Sequence, residues 1–142
     1  MKSFKGKVGD GEQDRIYLAG GDSDKGYRIS KLEVVPAQPF NRTQESIVKV
    51  YLERQSSVDG DVNFKDDALL AVGIYKQNDS SNYLAYEYVL FVNKVVNQDI
   101  YVTCYDAATG EEMNYYIEFE EVKMSGAEQA VVNFNAALLH TE

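Results

Sequence analysis

In IVKVYLER (residues 47–54), Val48, Val50 and Leu52 fall on one side of an extended chain, with Lys49, Tyr51 and Glu53 on the other. Side chains alternate faces along a β-strand, so this segment sets one row toward a core and the other away from it. The same period of two recurs along the chain. RIYLA (15–19) and YRISKLEVV (27–35) read as strands separated by GGDSDKG. DIYVTCY (99–105) sets Ile100, Val102 and Cys104 against Tyr101, Thr103 and Tyr105. NYYIEFEEV (114–122) places Tyr115, Ile117 and Phe119 inward, with Tyr116, Glu118 and Glu120 outward. ALLAVGIY (68–75) is apolar on both faces, as a central strand would be, and EYVLFVNKV (87–95) is likewise nearly continuous. FKGKV (4–8) supplies an eighth strand, at an edge.

Turn chemistry separates these runs. Asp59-Gly60, Thr109-Gly110 and Gly20-Gly21 tolerate positive φ. Both prolines sit in PAQPFNRTQES (36–46), QNDSSN (77–82) is a polar loop, and DAATGEE (106–112) reads as the turn of a hairpin. Short strands without long helices between them predict an all-β fold: an antiparallel β-sandwich, jelly-roll-like, of about eight strands over residues 1–124. The length of 142 residues suits a single domain.

Residues 125–142 read differently, as a C-terminal docking segment of that domain. Ser125-Gly-Ala-Glu128 matches a capping box, and Ala127, Ala130, Val131, Phe134, Ala137 and Leu138 follow at helical spacing. A strand row of Ala130, Val132, Phe134 and Ala136 competes; the preceding cap favours a short helix. So short a helix is marginal alone and needs a surface to dock on.

Chemistry at a site finds little support. Cys104, in phase with Ile100 and Val102, is expected to be buried, with a raised pKa and no reactivity. The single histidine, His140, stands third from the end, where no nucleophile is held beside it. One Cys and one His cannot make a zinc site. Asp59-Gly-Asp61-Val-Asn63 opens like a calcium loop, but Phe64 and Leu70 stand where glycine and a bidentate glutamate are needed; Asp22, Asp24 and Gly26 are a weaker fragment. No catalytic, cofactor or metal residue is expected, and the chain reads as a non-enzyme.

The net charge of −9, from 14 basic and 23 acidic residues, argues against nucleic acid; Lys2, Lys5 and Lys7 read as a solvated end. No apolar run approaches the roughly 18 residues of a membrane span, and the first residues lack the apolar core of a leader. The sequons at Asn41 and Asn78 read as chance matches. Eleven tyrosines, six phenylalanines and no tryptophan suit half-buried sheet faces.

RIYLAGG (15–21) followed by GYRISKLEVVP (26–36), then NQDIYVT (97–103) and NYYIEFEEV (114–122), resemble small virion structural proteins of marine tailed bacteriophages, similar to capsid decoration (cement) proteins. The resemblance spans roughly residues 1–124. It implies a particle component that binds between capsid subunits and stabilises the head, carrying over no catalytic or metal residues. The implied partner is the major capsid protein or another virion protein, the implied assembly a homotrimer, and the location the virion, after synthesis in the host bacterial cytoplasm. A tail, fibre or adaptor component contacting a host receptor is the alternative within the particle. A carbohydrate-binding module using loop tyrosines Tyr83 and Tyr86 is the alternative outside it. The expected contact residues are Phe4, Phe134 and Leu138 at the ends and Phe40 and Tyr83 in the loops.

Overall fold

The computed structural model of the protein describes residues 1–18, 24–40, 43–78 and 83–124, and every regular element within them is a strand. The strands are β1 (Lys2–Val8), β2 (Gln13–Ile16), β3 (Lys25–Pro36), β4 (Thr43–Tyr51), β5 (Leu69–Asn78), β6 (Tyr83–Leu90), β7 (Val95–Val96), β8 (Ile100–Asp106) and β9 (Met113–Lys123). They form two antiparallel sheets, in the orders β1-β9-β3-β7 and β2-β8-β4-β5-β6. With β6 set aside, the other eight strands renumbered along the chain run 1-8-3-6 and 2-7-4-5. That interleaving of two Greek keys is the jelly-roll arrangement of a β-sandwich.

The expected edge strand FKGKV is in place within β1, and the differences elsewhere have local causes. EYVLFVNKV is not one central strand. Its first part lies in β6, at the edge of the five-stranded sheet, and a turn closed by Lys94 N–H to the Phe91 carbonyl carries the chain to β7 in the other sheet. DAATGEE is not a hairpin turn, because β8 and β9 belong to different sheets. β4 begins at Thr43, within the expected loop, and Pro36 is the last residue of β3, where a missing N–H breaks no ladder. β2 ends at Ile16 rather than at residue 19. Gly110 has the positive φ expected of it, at +76°. The expected short helix, with the whole docking segment 125–142, lies outside the described residues.

Inner faces meet in an apolar core. One sheet contributes Val48, Val50, Ile100, Val102 and Cys104, the other Ile29, Leu32, Ile117 and Phe119, all buried. Polar links cross it only where they are completed. Tyr115 reaches from β9 to β2 and donates its hydroxyl to Asp14 Oδ2 at 3.0 Å. Gly6 on β1 makes room for it: a Cβ there would lie 2.5 Å from the Tyr115 oxygen.

The outer face of the five-stranded sheet is also covered. Alternation assigns Lys49, Tyr51, Tyr101 and Thr103 to solvent, yet all four are buried. The long β4–β5 connection folds back over them. The Lys49 ammonium, only 3% exposed, holds that connection by donating to Asp59 Oδ1 at 3.2 Å and to the Asp61 carbonyl at 2.6 Å. Gln13 and Gln55 exchange hydrogen bonds beside it, from Gln13 Nε2 to the Gln55 carbonyl and from Gln55 N–H to Gln13 Oε1. Gly60 lies against the Tyr105 ring, where a Cβ would come within 2.9 Å.

Asp106 organises the crossing from β8 to β9. Oδ1 accepts from the N–H groups of Glu45 and Ala108, and Oδ2 from those of Thr109 and Glu111. Burial alone would raise its pKa, but these four backbone donors outweigh it and hold the carboxyl below its ordinary value.

Two predictions follow from these anchors. Lys49→Met keeps the stem but removes the charged donor, and should cost about 2 kcal/mol in a denaturant melt while exposing residues 52–68 to limited proteolysis. Asp106→Asn turns an NH₂ toward backbone donors and should cost about 2 kcal/mol at pH 7. Because the folded carboxyl has the lower pKa, its contribution is present above the unfolded value of about 3.9 and is lost as pH falls through the folded one. The stability gap between wild type and variant should therefore close in acid melts.

Candidate functional site

The chemistry-bearing residues are placed as structure. Cys104 is fully buried in the core, and burial pushes its thiol up to about 12, with the carboxylates of Asp10 and Asp106 adding to the shift. The candidate calcium loop is organised around a different cation. Asp59 accepts from the Lys49 ammonium and from the Asp61 N–H, which together hold its carboxyl below the ordinary value. Among the described residues, no group of three His, Cys, Asp or Glu side chains is placed to hold a metal. No helix long and apolar enough to cross a membrane is present among them.

The basic residues near the start separate. Lys2 faces inward, its ammonium 4.8 Å from the centre of the Tyr27 ring. Lys5 and Lys7 line a broad open depression of about 590 Å³ with Glu33, Val35, Asn114 and Tyr116 on the outer face of the four-stranded sheet. Charges there are interspersed: Lys7 lies 3.8 Å from Glu112, Lys31 3.3 Å from Glu33, and Tyr116 donates to Glu118. Such a surface is a solvated sheet face without a focused field.

The five-stranded sheet offers something different at β6. Register pairs Gly73 with Tyr88, Tyr75 with Tyr86 and Gln77 with Leu84, so Leu84, Tyr86 and Tyr88 belong to the inner row of this sheet. Yet Leu84 is 57% exposed, Tyr86 52% and Tyr88 37%. Leu84 and Tyr86 stand the more open, whereas Tyr88 reaches the four-stranded sheet. The Tyr88 ring covers Gly73, and its hydroxyl accepts from the Val34 N–H at 3.2 Å, capping the side of β3 that faces away from β9. Tyr86 packs edge-on against buried Tyr75 at 5.0 Å and lies nearly parallel to Tyr88, at 18° and 6.5 Å. The row is fixed from below and open above.

Sheet edges differ in how they are protected. β1 carries Lys2, Lys5 and Lys7; β2 has four residues, with Arg15 bonded to Asp99 at 2.6 Å; β7 has two residues. Lysines, brevity and ion pairs are the usual devices against strand addition. β6, YLAYEYVL, has eight residues, no proline, no cation and one charge, Glu87. It is the unguarded edge among the described residues.

Of the expected contact residues, Phe4 is half-buried on the inner side of β1, edge-on to Phe119 at 6.2 Å, and so serves the core. Phe40 stands 95% exposed after β3. Tyr83 is the first residue of β6, and Tyr86, expected in a loop, lies within that strand. Phe134 and Leu138 lie outside the described residues. The sequence reading missed Leu84 and Tyr88, whose signal was an apolar strand without lysine or proline. Comparisons with protein-family models, curated proteins and solved structures find no match.

Burial of Cys104 makes a direct prediction. An aromatic disulfide reagent at pH 8 should label no thiol in the native protein and one thiol per chain in denaturant; rapid native labelling would contradict the packing around β8.

Proposed function

We propose that the protein is a non-enzymatic structural component of a phage virion, a capsid decoration protein that binds between capsid subunits and stabilises the head. The resemblance of its patterned strands supports this reading, and the observation that carries it is the β6 row. Leu84, Tyr86 and Tyr88 hold apolar surface in water along one strand, as protein-contact residues do. Phe40 adds a second apolar contact at the end of the sandwich where β3 leaves its sheet.

A protein of this kind acts as a ligand of the intact shell. Its binding free energy is present in the assembled particle and absent from the disrupted one, so it raises the stability of the former by mass action. Many modest contacts repeated over the shell multiply that effect. The partner is then the major capsid protein or another virion protein, and the place of action is the particle.

One observation favours a second reading. The nearly parallel Tyr86 and Tyr88 rings form a platform on which a sugar could stack, which would make the chain a carbohydrate-binding module. Heating particles that carry the protein against particles stripped of it separates the two. Higher disruption temperature with the protein bound is the expected result; equal temperatures, together with glycan-array binding lost in Tyr86→Ala, would replace the first reading with the second.

A further inference from the structure

We propose that β6 pairs antiparallel with β6 of a second copy, joining two five-stranded sheets into one continuous sheet across a two-fold axis at Tyr86. The inference rests on reading β6 as a protein-contact strand and identifies its partner.

Three observations support a second copy. First, an edge strand presents unpaired N–H and C=O groups, and β6, an edge among the described residues, carries none of the devices that block their use beyond the single charge of Glu87. Second, the strand complements itself about Tyr86. Leu84 falls opposite Tyr88 of the partner subunit and Tyr86 opposite the partner's Tyr86, so the two exposed rows merge into one apolar stripe. Ala85 falls opposite Glu87 of the partner subunit. An axis at Glu87 would instead oppose two like charges, which is destabilising in a cross-strand pair. Third, the remaining edges are guarded by lysines, an ion pair or brevity. Pairing through a single self-complementary edge closes at two copies and does not propagate as a fibre would. The two-fold geometry departs from the trimer that the resemblance implied.

Sedimentation equilibrium of the full chain over a range of concentrations should show a monomer–dimer equilibrium. Ala85→Glu supplies a charge test. Within one protomer residue 85 pairs with Lys76, so the new carboxylate suits the fold. Across the axis it meets Glu87 of the partner subunit twice, and dimerisation should weaken by about tenfold. Tyr86→Cys places two thiols at the axis, and because Cys104 is buried, mild oxidation should give a covalent dimer through residue 86.

A monomer at every concentration, a trimer, or a dimer indifferent to Ala85→Glu would overturn the pairing. So would a monomer whose β6 amides are nonetheless protected from hydrogen exchange, since another segment of the chain would then cover the edge. A monomer that still binds shells would overturn the pairing and leave the virion reading standing. A charge-sensitive dimer with no affinity for shells would support the pairing and remove that reading.

Discussion

Two sheets in a sandwich cover each other only as far as the narrower one reaches, and here four strands face five. Among the described residues, the inner row of the extra strand is therefore only partly covered: Leu84 and Tyr86 stand open, while Tyr88 still reaches β3 and Leu90 packs on the core. An open polar row would simply be solvated, but Leu84, Tyr86 and Tyr88 are large and apolar. They are also held in place from beneath, by Tyr75, by Gly73 and by the backbone of Val34. The row that the mismatch exposes is thus anchored at Tyr86 and Tyr88, and such anchoring lowers the entropic cost of binding there.

The rest of the molecule is closed with care by comparison. Lys49 supplies its ammonium to the β4–β5 connection, and Asp106 accepts the backbone donors of the β8–β9 crossing. Tyr115 ties the two sheets through Asp14. Each is a buried polar group with its partners present, as low-dielectric interiors require. No buried side-chain nitrogen or oxygen is left without a partner among the described residues. These contacts hold the fold: Asp59 and Asp106 anchor backbone and Lys49, and Cys104 packs in the core.

Much of the fold was legible from alternation. Strands around Val48, Val102 and Ile117 were readable because their inner and outer rows differ in polarity, and Cys104 followed its neighbours into the core. Three features escaped for physical reasons. Lys49 has the pattern of a solvated residue, and only the folded-back connection over it makes it an internal cation. The DAATGEE turn has hairpin chemistry, but local turn geometry does not say whether the next strand joins the same sheet. β6 resembles a central strand because apolar residues on both faces mark either burial or an exposed contact edge. For the candidate site, the absence of lysine and proline from YLAYEYVL was readable, whereas the exposure of its inner row was not.

The sequence by itself determined the strands around Val48, Val102 and Ile117, their inner rows and the burial of the single thiol, because period-two polarity is a local property that any sandwich must respect. Which strands became neighbours, which loop covered the outer face and which edge remained open were decided by the tertiary structure. Those outcomes depend on contacts between residues far apart in the chain, such as Tyr88 with Val34 and Lys49 with Asp59, and on the unequal width of the two sheets.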